Sequence, residues 1–220
     1  MARLSFWAGG PFYFMSKIIT DIDIANQALG YLGEQTIASM SESTKEARQV
    51  SLHFDQTLRE IMEKHRWSVG RKRKRMTRSA IVPSFGWTYA HVIPQDCIRI
   101  LDIFEISEQD PTLSPVPIRK FEKEPGLILS NVKHCGLVYI KQVISSDLSP
   151  LMIKALAIKL ASKIAIPLGE SRLFGELYNL ADNAIKDAWL SDARQSRSGE
   201  NSDFLQRSEE NHAESGRYNA

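Results

Sequence analysis

Residues 149–169 read SPLMIKALAIKLASKIAIPLG, and this stretch decides the fold. Ser149 is placed to cap a helix, and Pro150 takes the first helical position, where a missing amide hydrogen costs nothing. Leu151, Leu156, Ile158, Leu160, Ile164 and Ala165 then spread around nearly the whole circumference, with Lys154, Lys159 and Lys163 as the polar punctuation. A helix that is apolar on most sides needs neighbours on most sides, so this one is read as central and buried. Three lysines inside the longest apolar run, Leu151 to Leu168, would be costly in hydrocarbon, which argues against a membrane span and for a soluble protein. Pro167 and Gly169 are expected to end the helix.

Its neighbours are legible from periodicity. Thr20 followed by Asp23 is close to a capping box, with Ile19 and Ile24 placed as a hydrophobic staple. Ile24, Ala25, Ala28, Leu29 and Leu32 then share one half of a helical wheel up to Gly33, giving a first helix over 21–32. Ala47, Val50, Phe54, Leu58, Ile61, Met62 and His65 form one stripe of a second helix over 44–65. Leu52 falls on the opposite face of that wheel. A fourth helix follows the central one over 171–192, carrying Leu173, Leu177, Leu180, Ala184 and Ala188 on one face, widened by Phe174, Tyr178, Ile185 and Trp189.

Between the second and third helices the helical period disappears. Pro83, Gly86 and Pro94 interrupt the chain, and short aromatic and β-branched segments take over at 87–93, 97–106, 117–121, 127–129 and 137–143. The expected fold class is therefore α+β and mainly α: an antiparallel helical bundle from 18–67 and 149–192, with a small antiparallel β region inserted over 68–148. Residues 193–220 turn to Ser, Asn, Glu, Arg and Gly with few apolar anchors, a composition that cannot build a core, and are read as an extended C-terminal tail. Residues 1–17 form an N-terminal extension whose apolar stretch lacks a small-residue cleavage site and so does not read as a secretion signal.

The 220 residues are 43% hydrophobic and 25% charged, near the globular average, which excludes disordered, collagenous and disulfide-framed classes for the chain as a whole. Cys97 and Cys135 belong to no C-x-x-C pair and are read as free thiols of a reducing compartment. The five histidines, His53, His65, His91, His134 and His212, show no metal-ligand spacing. His65 completes an apolar stripe and reads as a packed histidine. Cys135 beside His134 does not make a nucleophile and base, because adjacent strand residues point to opposite faces. No phosphate-binding or nucleophile-elbow motif is present either, so no enzyme, cofactor or metal is expected.

One charged feature stands out. Arg71, Lys72, Arg73, Lys74, Arg75 and Arg78 place six cations within eight residues of a chain whose net charge is only +2. Charges this close repel one another, and an anionic partner would relieve them. DNA phosphate or an acidic protein surface would serve, and a solvated strand or loop is the plainer reading.

The arrangement resembles the head-to-tail adaptor proteins of tailed phages, the tail tubular protein A group. The resemblance is carried by 25–34 (ANQALGYLGE), Ala47-Arg48, Asp55, Leu58-Arg59-Glu60 and Trp67-Ser68, then by Gly86-Trp87-Thr88-Tyr89, the stretch 93–100 (IPQDCIRI), Tyr139-Ile140, Val143, Ala155-Leu156-Ala157 and Leu160-Ala161, in the same order. It covers about Ile22 to Ala193. It implies a structural virion protein, not a catalyst: a homo-oligomeric ring, usually of twelve copies, docked on the portal protein, presenting the tail nozzle or next tail component and forming part of the DNA channel. It also implies a helical bundle with a β insertion and a C-terminal extension that grips the portal. On that reading Phe204, Leu205 and Tyr218 are the portal-binding residues; the dense basic run and the aromatic segment before Met15 depart from the family's pattern, and it is from their charge alone that Arg71 to Arg75 with Arg78 are expected to face either channel DNA or a protein interface. The protein would be made in the bacterial host cytoplasm and end at the head–tail junction of the virion. The rival expectation is a small nucleic-acid-binding module without sequence specificity.

Overall fold

A computed structural model describes residues 19–109 and 114–197. The expected N-terminal extension, residues 1–17, and the portal-binding candidates Phe204, Leu205 and Tyr218 lie outside the described residues.

Four helices frame the fold: α1 (Asp21–Leu32), α2 (Lys45–Lys64), α3 (Pro150–Leu168) and α4 (Phe174–Arg197). The caps explain where each begins. Thr20 and Asp23 form a complete capping box at α1, and the Thr44 and Ser149 side chains accept the third-position amides of α2 and α3. Glycines in the left-handed conformation, Gly33 (φ 75°) and Gly169 (φ 109°), stop α1 and α3. Pro167 does not end α3 on its own. The helix continues to Leu168, and Lys45 Nζ donates to the Leu168 carbonyl at 3.0 Å, placing a cation at the negative end of the dipole.

Helix α3 is the centre of the helical layer, with α1, α2 and α4 all packed on it. Ala155, Leu156, Ala157, Ile158, Leu160, Ala161 and Ile164 are essentially inaccessible, while Leu151, expected within the same apolar circumference, is exposed on the first turn. Helix α4 extends past Asp192, through residues read as the start of the tail, to Arg197.

The β elements require a correction to the expected fold class. The structure is mixed α and β, not a mainly helical bundle with a small insertion, because eight strands make two four-stranded antiparallel sheets between α2 and α3. The strands are β1 (Arg71–Arg75), β2 (Thr77–Arg78), β3 (Tyr89–Val92), β4 (Cys97–Glu105), β5 (Val116–Pro117), β6 (Glu122–Glu124), β7 (Leu127–Ser130) and β8 (Cys135–Lys141). One sheet runs β1-β8-β4-β5 and the other β2-β3-β7-β6.

The physical reason is that four of the eight are edge strands. Those four, β1 (RKRKR), β2 (TR), β5 (VP) and β6 (EKE), are exposed at every position. Backbone pairing places them, so their side chains carry no buried alternation for a reader to see. The segment expected as one strand over 117–121 is in fact the end of β5 followed by a connection to β6.

Strand β8 joins two cores. Its Ile140 belongs to the helical core with Trp67, Val143 and the α3 face, while Cys135, Leu137 and Tyr139 meet Ile103 and Ile128 between the sheets. Trp67, fully buried, donates from Nε1 to the Ile61 carbonyl at 2.7 Å and fixes the exit from α2. Arg99 of β4 donates to the Glu63 carbonyl at 2.8 Å, so a sheet residue satisfies the C-terminal end of α2. The helical layer and the first sheet are thereby bolted together beside the basic strand.

Candidate interface on the basic edge strand

The register of β1 on β8 sorts the basic run. Arg71 opposes Ile140, Arg73 opposes Val138 and Arg75 opposes Gly136, whereas Lys72 opposes Tyr139 and Lys74 opposes Leu137. Directly opposed residues share a face, so the three arginines lie on the helix side of the sheet and the two lysines on the side of the second sheet. Arg78 is not with them. It sits on β2 of the other sheet, with its guanidinium 5.7 Å from the Tyr89 ring centroid.

The lysine side is partly neutralised. Lys72 Nζ lies 2.9 Å from Asp96 Oδ2, and the Tyr139 hydroxyl donates to Asp96 Oδ1 at 2.9 Å. The hydrogen bond from Lys72 is the main reason the Asp96 carboxyl is held below its usual range, and the bond to Asp96 holds the Lys72 ammonium above its own. Tyr139 is pushed up, first by burial and then by the carboxylate it donates to.

The arginine side is open. Arg73, Arg75, Phe104, Ile106, Gly136 and Val138 line a trough of about 470 Å³. A second hollow of about 520 Å³ shares Arg73, Phe104 and Val138 with it and continues past Arg71 and Arg66 to Trp189 and Ser196 of α4. The helices cover the Ile140 end of this face and leave the Gly136 end bare. Arg66 is paired with Asp102 at 3.4 Å and Arg75 donates to the Ser107 carbonyl at 3.0 Å, while Arg71 and Arg73 have no ion pair among the described residues. The result is an apolar floor with a cationic wall.

A second exposed feature is the connection from β2 to β3. Its tip carries Ile81, Val82 and Phe85, which are 64, 77 and 89% exposed. Large apolar side chains this exposed and this close in sequence mark a contact surface more often than a solvated loop.

The histidines and thiols behave differently from the basic strand. His65 stacks on Trp189 at 4.9 Å between centroids and meets Trp67 edge-on, and burial, reinforced by Lys64 and Arg99, keeps its pKa low. His134 pairs with Glu108 at 3.0 Å and not with its neighbour Cys135. Cys135 instead faces His91, a partner the sequence reading missed because only the stacking of the two sheets brings them together.

This pair is not a nucleophile and base. His91 Nε2 lies 3.0 Å from the Val132 carbonyl and 3.3 Å from Cys135 Sγ, and His91 Nδ1 has no hydrogen-bond partner among the described residues. A carbonyl only accepts, so the pattern assigns the hydrogen to Nε2 and leaves the basic nitrogen turned away from the thiol. Burial raises the Cys135 pKa, keeping the thiol protonated, and the residue is 1% exposed. Among the described residues no group of three or more His, Cys, Asp or Glu side chains gathers to hold a metal, and no helix is long and apolar enough to cross a membrane.

Neither a comparison with protein-family models nor a search of curated proteins finds a match to this chain.

Proposed function

We propose that the chain is a structural virion protein of a tailed phage, a head-to-tail adaptor that assembles as a twelve-membered ring on the portal protein and presents the nozzle or next tail component. The observation that carries this reading is the ordered set of motifs from Ile22 to Ala193. Surface chemistry supports it. The Ile81–Val82–Phe85 tip offers an apolar contact, and Phe174, Tyr178, Leu180 and Leu190 leave α4 with apolar residues 37–44% exposed after it has packed on α3. A subunit with neighbours on two sides has a use for both. Phe204, Leu205 and Tyr218 are proposed as its grip on the portal, and the virion's head–tail junction as its destination after synthesis in the host cytoplasm.

The test is cosedimentation of the purified protein with its cognate portal at micromolar concentration. A ring-sized complex is expected; a chain that stays at monomer size with portal present overturns the reading.

A second reading, a nucleic-acid-binding module without sequence preference, is favoured by the five consecutive exposed cations of β1. It differs in salt dependence, because each neutralised phosphate on duplex DNA contributes about 0.9 to the slope of log affinity against log salt. An adaptor should bind DNA weakly, since the genome must slide past it. Tight binding by the isolated protein with a slope of about 4 or more would favour the module.

A further inference from the structure

We propose that the trough between β1 and the end of α4 is the seat of the chain's own C-terminal segment, residues 198–220, with Phe204 and Leu205 on its apolar floor. This goes beyond the adaptor reading and does not rest on it.

Continuity comes first. Trp189, Asp192, Ala193 and Ser196 of α4 line one end of the trough, so the chain passes out of the described structure at the mouth of this hollow. From Ser196 to Phe204 is eight residues, a reach of up to about 26 Å. Arg71 to Arg75 is four strand steps, about 13 Å. Phe204 therefore reaches the far end of the trough with slack to spare.

Charge comes second. Residues 198–220 carry Glu200, Asp203, Glu209, Glu210 and Glu214 against Arg207 and Arg217. The trough offers Arg71 and Arg73, which have no ion pair among the described residues, together with Arg75, whose side chain donates to the Ser107 carbonyl. Carboxylates on the segment match guanidiniums on the wall, and bidentate pairs of this kind fix register as well as adding energy.

Shape and polarity come third. Phe104, Ile106 and Val138 give the trough an apolar floor. A phosphate backbone makes no use of such a floor. A Phe-Leu pair preceded by an acid does, and 203–205 (DFL) is the one such sequence in 198–220. The occupant that satisfies floor and wall together is therefore an acidic peptide with an apolar pair. A portal that takes the same segment has to displace it from this seat.

The experiment uses the full chain with Phe204 replaced by photoreactive benzoylphenylalanine. After irradiation, cross-links are mapped by mass spectrometry in the single-chain band. Links to 104–106 and 136–138 are expected, with yield falling at least five-fold in an Arg73→Glu/Arg75→Glu background and on raising salt from 50 to 500 mM. A Glu209→Lys/Glu210→Lys variant, changed outside the described residues, should lower the yield in the same direction and keeps the test decisive if the strand variant fails to fold. Links confined to a two-chain band would assign the seat to a second copy, and links scattered over the helices, or a yield indifferent to charge, would show no seat. Each of these overturns the proposal.

Discussion

Nε2 of His91 on β3 lies 3.3 Å from Sγ of Cys135 on β8, and the two residues belong to different sheets. Both are about 1% exposed, so the contact fastens one sheet to the other at the bottom of their shared core. The arrangement holds only while His91 is neutral. A second proton would sit on buried Nδ1, which has no acceptor among the described residues.

A pH dependence of stability follows. Burial is the main cause that holds His91 below its usual 6.5, with Arg78 and His134 adding to it and the Val132 carbonyl opposing. The unfolded chain thus binds the proton more readily than the folded one, so stability is full above about pH 6.5 and declines as pH falls toward the folded-state pKa. Urea midpoints between pH 8 and pH 5 should show this fall, and His91→Gln should flatten it. A midpoint equally steep in the variant would assign the slope to His65, whose pKa is lowered by the same cause.

Gly70 stands where α2 hands over to β1. A Cβ there would meet Met62 Cε at 2.5 Å and Ile140 Cγ2 at 2.9 Å. The methionine end is flexible but fully buried, and the isoleucine is held in the helical core. Gly70→Ala is expected to cost about 1–3 kcal/mol through overpacking, measured by chemical denaturation. Gly70→Ala with Met62→Leu should differ from the sum of the single changes, because the two sites touch.

The Lys72–Asp96–Tyr139 chain is unequal in its parts. Lys72 is on the exposed strand, and Lys72→Ala should leave the melting temperature unchanged within error. Asp96→Ala removes the acceptor of a tyrosine that is itself 0% exposed, and should cost about 1–2 kcal/mol for the stranded hydroxyl. Adding Tyr139→Phe to Asp96→Ala should restore part of that loss. Melting curves of the three variants decide it.

Val82→Ser and Phe85→Ser act on side chains that touch little of their own chain. Stability should change by less than about 0.5 kcal/mol, while cosedimentation with the portal or ring formation should weaken by ten-fold or more. Normal assembly by the double variant would remove the tip from the set of contacts.

The sequence made the helices legible because their signals are local and redundant. Thr20, Thr44 and Ser149 announce starts, Gly33 and Gly169 announce stops, and the α2 stripe from Ala47 to Met62 is buried as read, whereas Leu151 of α3 is exposed and Thr57 and Lys159, outside the apolar pattern, are buried. Leu52 is 67% exposed, on the face opposite the α2 stripe. The sheets were only half legible. Strands β3, β4, β7 and β8 bury side chains and were seen, with boundaries off by at most two residues. Strands β1, β2 and β6 bury none, and their membership is settled by hydrogen bonds to partners up to about 70 positions away. The His91–Cys135 contact was hidden for the same reason: it exists only once register and sheet stacking are both fixed. The basic run was visible as charge, but its division into three arginines on one face and two lysines on the other needed the pairing with β8.

Strand β1 has one more consequence. It ends its sheet, and beyond it no further strand is paired among the described residues, so its outer backbone groups form a template to which a stray chain could add. Five consecutive cations on that edge make a like-charged chain costly to bring alongside, and an identical copy of this strand the costliest of all. Removing the charges for an assembly experiment therefore also removes a guard against aggregation, and a precipitating Arg71→Gln/Arg73→Gln/Arg75→Gln protein would report a bare sheet edge before it reported anything about DNA.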